Sequence, residues 1–206
     1  MAKTDTAAIK KSIIKIAFES SLIIFSVLLA LFLNEYREQL KAEQEKLRAL
    51  QMIQVELTTN LTVLTNWTPY HKQLIEVFDN AIIQLEEAPA KTDPRSYILE
   101  LMPKGLMQDF ISRTAWESLQ QASSDVSLDI ETTFLISKVY KLQQMGVEKT
   151  LMQFVEVMNS REGMRAENLK ETLYLLKSTL QELHAQEKEL AYNYQNTLTK
   201  LKNRLN

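Results

Sequence analysis

Hydrophobic positions along this chain fall into two regimes. From Ser20 to Asn34, SSLIIFSVLLALFLN, apolar residues run together without a charge, whereas from Tyr36 onward they recur every three or four residues between charged positions. The first regime has the composition of a membrane span. It is shorter than the roughly 20 residues that cross about 30 Å of hydrocarbon as a helix, and extension back through Ile13, Ile14, Ile16, Ala17 and Phe18 supplies the missing length. The span is therefore placed at 13–34, behind an N-terminal segment 1–12. Lys15 can snorkel to the headgroups, but Glu19 is short and costly to ionise in lipid, which marks it as a functional or assembly position. A cleaved signal peptide needs small residues before the cleavage point, where this core instead runs into Phe32, Leu33, Asn34, Glu35 and Tyr36. A buried helix of a soluble domain is the other reading of a short apolar run. A single uncleaved span is the expectation.

The second regime predicts helices throughout 35–206. Tyr36, Leu40, Leu47, Leu50, Leu57, Leu61 and Leu64 form a heptad-like stripe with Glu43 and Gln54 at the skipped positions. The span is thus expected to continue into water as one helix over 35–67, ended or kinked at Pro69. A further helix, 69–87, carries Leu74, Val77, Phe78, Ala81, Ile82 and Leu85 on one face, and APAKTDPRS marks a loop at 88–97. Pro103 and Gly105 bracket a short break before a helix at 106–121 that carries Phe110, Ile111, Ala115, Trp116 and Leu119. Ser123, Ser124 and Asp125 supply turn chemistry, and a helix at 128–159 has Gly146 as its kink point. NSREG at 159–163 reads as a terminating turn. The last helix, 164–206, sets Leu169, Leu173, Leu176, Leu180, Leu183, Leu190, Tyr194, Leu198, Leu201 and Leu205 in a stripe that Glu187 interrupts and that leaves strict heptads after Leu190. The fold expected is all-α, with the N-terminal transmembrane helix continuous with a long helix that pairs with the C-terminal helix in an antiparallel bundle or coiled coil. Over some 40 residues such a pair would reach roughly 60 Å from the bilayer.

Composition sharpens this picture by exclusion. Three glycines and four prolines in 206 residues are too few for the turns of an all-β chain. With no cysteine there is no disulfide framework, thiolate metal site or cysteine nucleophile. A formal charge of -2 gives no global field toward nucleic acid or anionic lipid. His71 and His184 stand far apart without metal-ligand spacing, and no phosphate loop, nucleophile elbow or dinucleotide fingerprint occurs. Acidic residues such as Glu182, Glu187 and Glu189 read as solvated helix faces. Trp116 and Met102, Met107, Met145, Met152 and Met158 read as core, methionine filling gaps. The expectation is a non-enzymatic protein without a cofactor or metal.

The stretch ESSLIIFSVLLALFLNEYREQLKAEQEKLRALQMIQVELTTNLTVL, with SRTAWESLQQASSDVSLDIETTFLISKVYKLQ, resembles a broad group of bacterial single-pass membrane-anchored helical proteins of unknown function. The resemblance rests on Asn34, Glu35, Tyr36 and Arg37 at the end of the span, then Trp116, Leu119 and Tyr140. It implies the architecture of an N-terminal span running into a charged helix, and no biochemical activity.

Within the span, a helical wheel gathers Glu19, Ser26, Ala30 and Asn34 near one face. Small residues four apart permit close helix approach, and polar groups in hydrocarbon seek partners on other helices, so a homo-oligomer in the membrane is expected. The alternative is that Glu19 lies at the interface and Ser26 bonds its own backbone. Two functions follow. One is a pore-forming or ion-conducting effector, gated by the helical soluble domain, of a layout found in anti-phage defence. The other is a membrane-tethered scaffold or interaction protein. The partners expected are membrane lipid, further copies of the chain, and a regulatory protein or anionic signal ligand met by Lys200, Lys202 and Arg204, although those charges also suit a helix C-terminus. Basic residues number four before the span (Lys3, Lys10, Lys11, Lys15) and four after it (Arg37, Lys41, Lys46, Arg48), so a count of positive charges favours neither orientation. A bacterial inner-membrane protein with its soluble domain in the cytoplasm is preferred, because the helix after the span holds basic residues close to the membrane.

Overall fold

The computed structural model describes residues 5–87, 93–121 and 128–205. Among them the chain is all-α, with no strand. Helix α1 runs Asp5–Glu87, α2 Pro94–Leu101 and α3 Thr114–Gln121. Helix α4 (Ile130–Gln143) passes through a π-helical turn, Gln144–Glu148, into α5 (Lys149–Asn159), and a 3₁₀ turn at Ala166–Asn168 leads into α6, Leu169–Leu205. The chain divides into two compact units, Met1–Lys46 and Leu47–Asn206, and the core belongs to the second.

Pro69 does not end α1, which contains it. A proline inside a helix costs about 3 kcal/mol because it removes a donor and crowds the preceding turn. Here Pro69 and Thr65, whose carbonyl loses its partner, both lie on the exposed face, where water replaces the missing donor. On the opposite face Leu64, Trp67, Tyr70, His71 and Leu74 are buried, and burial at about 1.5–3 kcal/mol for each large apolar side chain outweighs that cost. The two predicted helices 35–67 and 69–87 are therefore one.

The buried seam of α1 also differs from the stripe read off the leucines. It runs Leu50, Ile53, Leu57, Asn60, Leu64, Trp67, His71, Leu74, Phe78 and Ala81, an unbroken alternation of three- and four-residue steps. Leu61 is only partly buried, and Asn60 takes the core position. In α6 the seam is Leu169, Leu173, Leu176, Leu180, Leu183, Glu187, Leu190, Tyr194, Thr197 and Leu201. Glu187 lies inside it, and Thr197 rather than Leu198 keeps the heptad step after Tyr194, so the expected departure from heptads is absent. Lys170 to Glu86 (2.8 Å), Lys177 to Asp79 (2.6 Å) and Glu187 to His71 (2.7 Å) link the two helices. Numbers rise along α6 as they fall along α1, the order that antiparallel neighbours require. Phe154 of α5 meets Phe78 edge-on at 6.4 Å.

The helix predicted over 128–159 contains a register shift at its expected kink point. Buried positions step from Thr132, Ile136, Val139 and Gln143 to Val147, Thr150 and Phe154. The π turn inserts one residue at Gly146, and the core position moves to Val147. Met145 and Met152, expected in the core, are exposed, as are Ile130 and Phe134.

Other boundaries moved for local reasons. Of the predicted loop 88–97, residues 88–92 lie outside the described residues. Residues 94–97 are helical, because the Asp93 carboxylate accepts the Ser96 amide at 3.1 Å and Pro94 suits the first helical position. Ser123, Ser124 and Asp125 also lie outside the described residues. The turn after Asn159 formed as expected. Ser160 caps it, and Gly163 is enforced there because a Cβ would stand 2.6 Å from the Val157 carbonyl oxygen. The α-helix predicted from 164 begins at Leu169.

Candidate functional site

The largest departure from the sequence reading is at 102–113, where the first turns of the predicted helix 106–121 are irregular and only Thr114–Gln121 is helical. Side chains of α1 bind this segment's backbone, substituting for helical hydrogen bonds. The amide of Ser112 donates to Asn60 Oδ1 at 2.8 Å, and Asn60 Nδ2 donates to the Ser112 carbonyl at 2.7 Å. Gln143 Nε2 reaches the same carbonyl at 3.2 Å. Lys104 N–H donates to the Tyr70 hydroxyl, and Trp67 Nε1–H to Asp109. Gly105, at φ +68°, turns the chain where other residues are strained.

Glu56 anchors the other end of the segment. Its Oε1 accepts the Tyr140 hydroxyl at 2.6 Å, and its Oε2 accepts the Ser112 hydroxyl at 2.8 Å and the Ala115 amide at 2.9 Å. The last bond places a carboxylate at the start of α3, where helix amides lack partners. Burial, and after it the Glu56 carboxylate, push the Tyr140 phenol well above its usual range, so it remains a donor. Trp116 stacks on the Tyr140 ring, centroids 5.9 Å apart. Tyr194 donates to Gln143 Oε1 at 2.6 Å, and Gln143 Nε2 donates to Glu148 at 2.8 Å.

Further along the seam, His71 and Glu187 are both fully buried, with Nδ1 2.7 Å from Oε1. The other ring nitrogen lies 2.6 Å from the Leu106 carbonyl oxygen. Glu187, read from sequence as an interruption on a solvated face, is thus a core residue. Its signal in the sequence is register: counted through Ile53 instead of Gln54, Asn60 and His71 fall at seam positions of α1, as Glu187 does in α6. Single polar residues at such positions specify alignment.

The pinned backbone leaves Phe110 turned out, at 82% exposure. It stands between two shallow clefts. One of about 600 Å³ is lined by Arg48, Met52, Val55, Glu56 and Ala115, and the other, about 550 Å³, by Met107, Arg113, Glu148, Leu151 and Met152. At the end of α6, Arg204 is occupied by the carboxylates of Asp129 and Glu131, at 2.9 and 2.8 Å. It also meets the Thr132 hydroxyl. Lys200 and Lys202 are exposed. Thr132 hydrogen bonds first, and then Arg204, hold the Asp129 carboxyl far below its ordinary range.

In the first unit, α1 is long and apolar enough to cross a membrane, and none of its apolar stretch is buried within the chain. Ser26 donates to the Leu22 carbonyl at 2.8 Å, Asn34 donates to Glu38 at 2.8 Å, and Glu19 lies 3.9 Å from Lys15. Each of these polar groups meets a partner one turn away on its own helix, and Ala30 is exposed beside them. Among the described residues no group of three or more His, Cys, Asp or Glu side chains is placed to hold a metal ion. Compared with protein-family models, curated proteins and solved structures, the chain matches none of them. The likeness to bacterial membrane-anchored helical proteins therefore rests on its own quoted residues.

Proposed function

We propose that this protein is a non-enzymatic, membrane-tethered helical scaffold of the bacterial inner membrane, anchored by one span and holding its helical domain on the cytoplasmic side. The observation that carries the reading is where the polar groups of the helical domain are committed. Glu56, Asn60, His71, Tyr140, Gln143 and Tyr194 spend their hydrogen bonds on shaping the chain, above all on fixing 102–113 against α1. A site that binds and turns over a substrate keeps polar groups convergent on open space. Here Asn60, His71 and Gln143 reach the backbone of 102–113, while Tyr140 and Tyr194 reach the side chains of Glu56 and Gln143.

The second reading is an oligomeric, ion-conducting effector gated by the helical domain, in the manner of anti-phage membrane proteins. Glu19 and Ser26 favour it, being polar residues seven apart in an otherwise apolar helix. Against it, the Ser26 hydroxyl is already bonded to Leu22, as hydroxyls in spanning helices commonly are. Membrane potential separates the two. Cells expressing the wild-type protein, recovered in the membrane fraction, are expected to keep their potential, and Glu19→Leu and Ser26→Leu to behave identically. Depolarisation by the wild type that either substitution abolishes would replace the scaffold with the pore.

A further inference from the structure

Beside its buried seam, α1 presents a second face whose apolar residues lie in water. Arg48, Met52 and Val55 follow one another at four- and three-residue steps and so share one side of the helix. Met52 is 51% exposed and Val55 67%. With Ala115 and Ser118 of α3, and with Phe110, they line the cleft of about 600 Å³, which falls within the second unit. That volume suits a small molecule, whose sites run roughly 300–1,000 Å³.

Which ligand fits is decided by the polar groups that the chain leaves available in the lining. Glu56 accepts three donors, Asn60 and the Ser112 backbone bond each other, the Ser112 hydroxyl donates to Thr114, and the Thr59 hydroxyl is bonded to the Val55 carbonyl. Arg48 is different. Glu45, the acidic residue three back on its own helix, is paired with Lys41 at 3.7 Å, and among the described residues no carboxylate meets the Arg48 guanidinium. In the neighbouring cleft, by contrast, Arg113 is held by Glu117 and Glu148. Glu56 is the carboxylate of the lining, and it stands eight residues from Arg48, roughly 12 Å along the helix, with its oxygens turned onto Tyr140, Ser112 and Ala115.

We propose that this cleft binds a single-chain amphiphile with an acidic head, the class of a free fatty acid. The carboxylate meets Arg48, whose planar guanidinium offers it two parallel donors, and the chain lies along Met52, Val55 and Ala115 toward Phe110. Each methylene laid on those side chains leaves water together with the surface it covers. The lining also fixes the direction: a head placed at the other end would face Glu56. A cationic ligand would meet Arg48, and an uncharged one would leave it without a partner. The site adds a ligand to the helical domain, goes beyond the scaffold reading and does not depend on the membrane span.

Photo-crosslinking of the full-length protein in membranes tests this. A palmitate analogue with a diazirine in its chain is expected to label 48–59 and 110–118, unlabelled palmitate to compete, and the matching primary alcohol to label the same residues roughly tenfold less. Arg48→Gln should lower labelling by the acid by a similar factor and leave the thermal midpoint unchanged, since Arg48 is exposed. Val55→Asp should lower labelling by both probes. Labelling confined to 13–34 would mean that the chain meets the probe only as bulk lipid. Equal labelling of the cleft by acid and alcohol, or labelling indifferent to Arg48→Gln, would mean an apolar surface that recognises no head group. Either result overturns the proposal, as does an unlabelled cleft in a protein whose oligomeric mass falls on Phe110→Ala, which would assign the cleft to a second copy of the chain.

Discussion

Both ring nitrogens of His71 face oxygens, one on Glu187 and one on the Leu106 carbonyl. One side chain therefore ties α1, α6 and the 102–113 segment at a fully buried point. Removing either partner strands a polar group without water. His71→Leu is expected to cost about 3–5 kcal/mol, because it leaves the Glu187 carboxylate buried and unpaired. The double substitution His71→Leu with Glu187→Leu should recover most of that loss. Urea unfolding of the detergent-solubilised chain measures the cycle, and a double variant no more stable than the singles would rule out a direct coupling. Asp129 makes a different kind of residue-scale contribution. Its carboxyl, lowered by Thr132 and then Arg204 from an ordinary 3.8, stabilises the fold fully above that value. The contribution is lost as pH falls below it toward the depressed folded value. Acid titration of unfolding should therefore show a slope below about pH 4 that Asp129→Asn reduces; an unchanged slope would remove the assignment.

At the scale of the element, α1 shows how packing overrides local preference. Its seam needs ten consecutive heptad positions on one helix, and a break at Pro69 would pull apart Trp67, His71 and Leu74. Because Pro69 points to solvent, nothing in the core depends on its ring. Pro69→Ala is expected to raise stability by about 1–3 kcal/mol, restoring a donor to Thr65, and thermal unfolding would register it as a higher midpoint. A lower midpoint would mean that the proline is required for the path of the helix. The π turn at Gln144–Glu148 illustrates the converse, in which one extra residue lets α4 and α5 each keep an inward face. Gln143 and Glu148, bonded at 2.8 Å across that turn, mark the inserted residue.

At the scale of the whole chain, the apolar stretch of α1 has no burial of its own, while the polar side chains Glu56, Asn60, His71, Tyr140, Gln143 and Tyr194 of the second unit are bonded to one another or to backbone. That division of labour is why membrane potential discriminates between the readings: a scaffold leaves it unchanged whatever stands at Glu19 or Ser26, while a pore depends on both.

The sequence by itself determined the all-α class, the apolar segment long enough to cross a membrane and the turn at 159–163. These follow from local composition and from periodicity, which each segment carries within itself. Only the tertiary structure decided that Pro69 lies within one helix, that Asn60, His71 and Glu187 are core, and that 102–113 abandons helix to expose Phe110. In each of these places the local preference amounts to a few kcal/mol at most, and partners up to 134 residues away supply more. A polar residue in the seam reads as a surface residue until the opposite polar residue is brought against it, and a helical backbone gives up its own bonds only where side chains of another helix replace them.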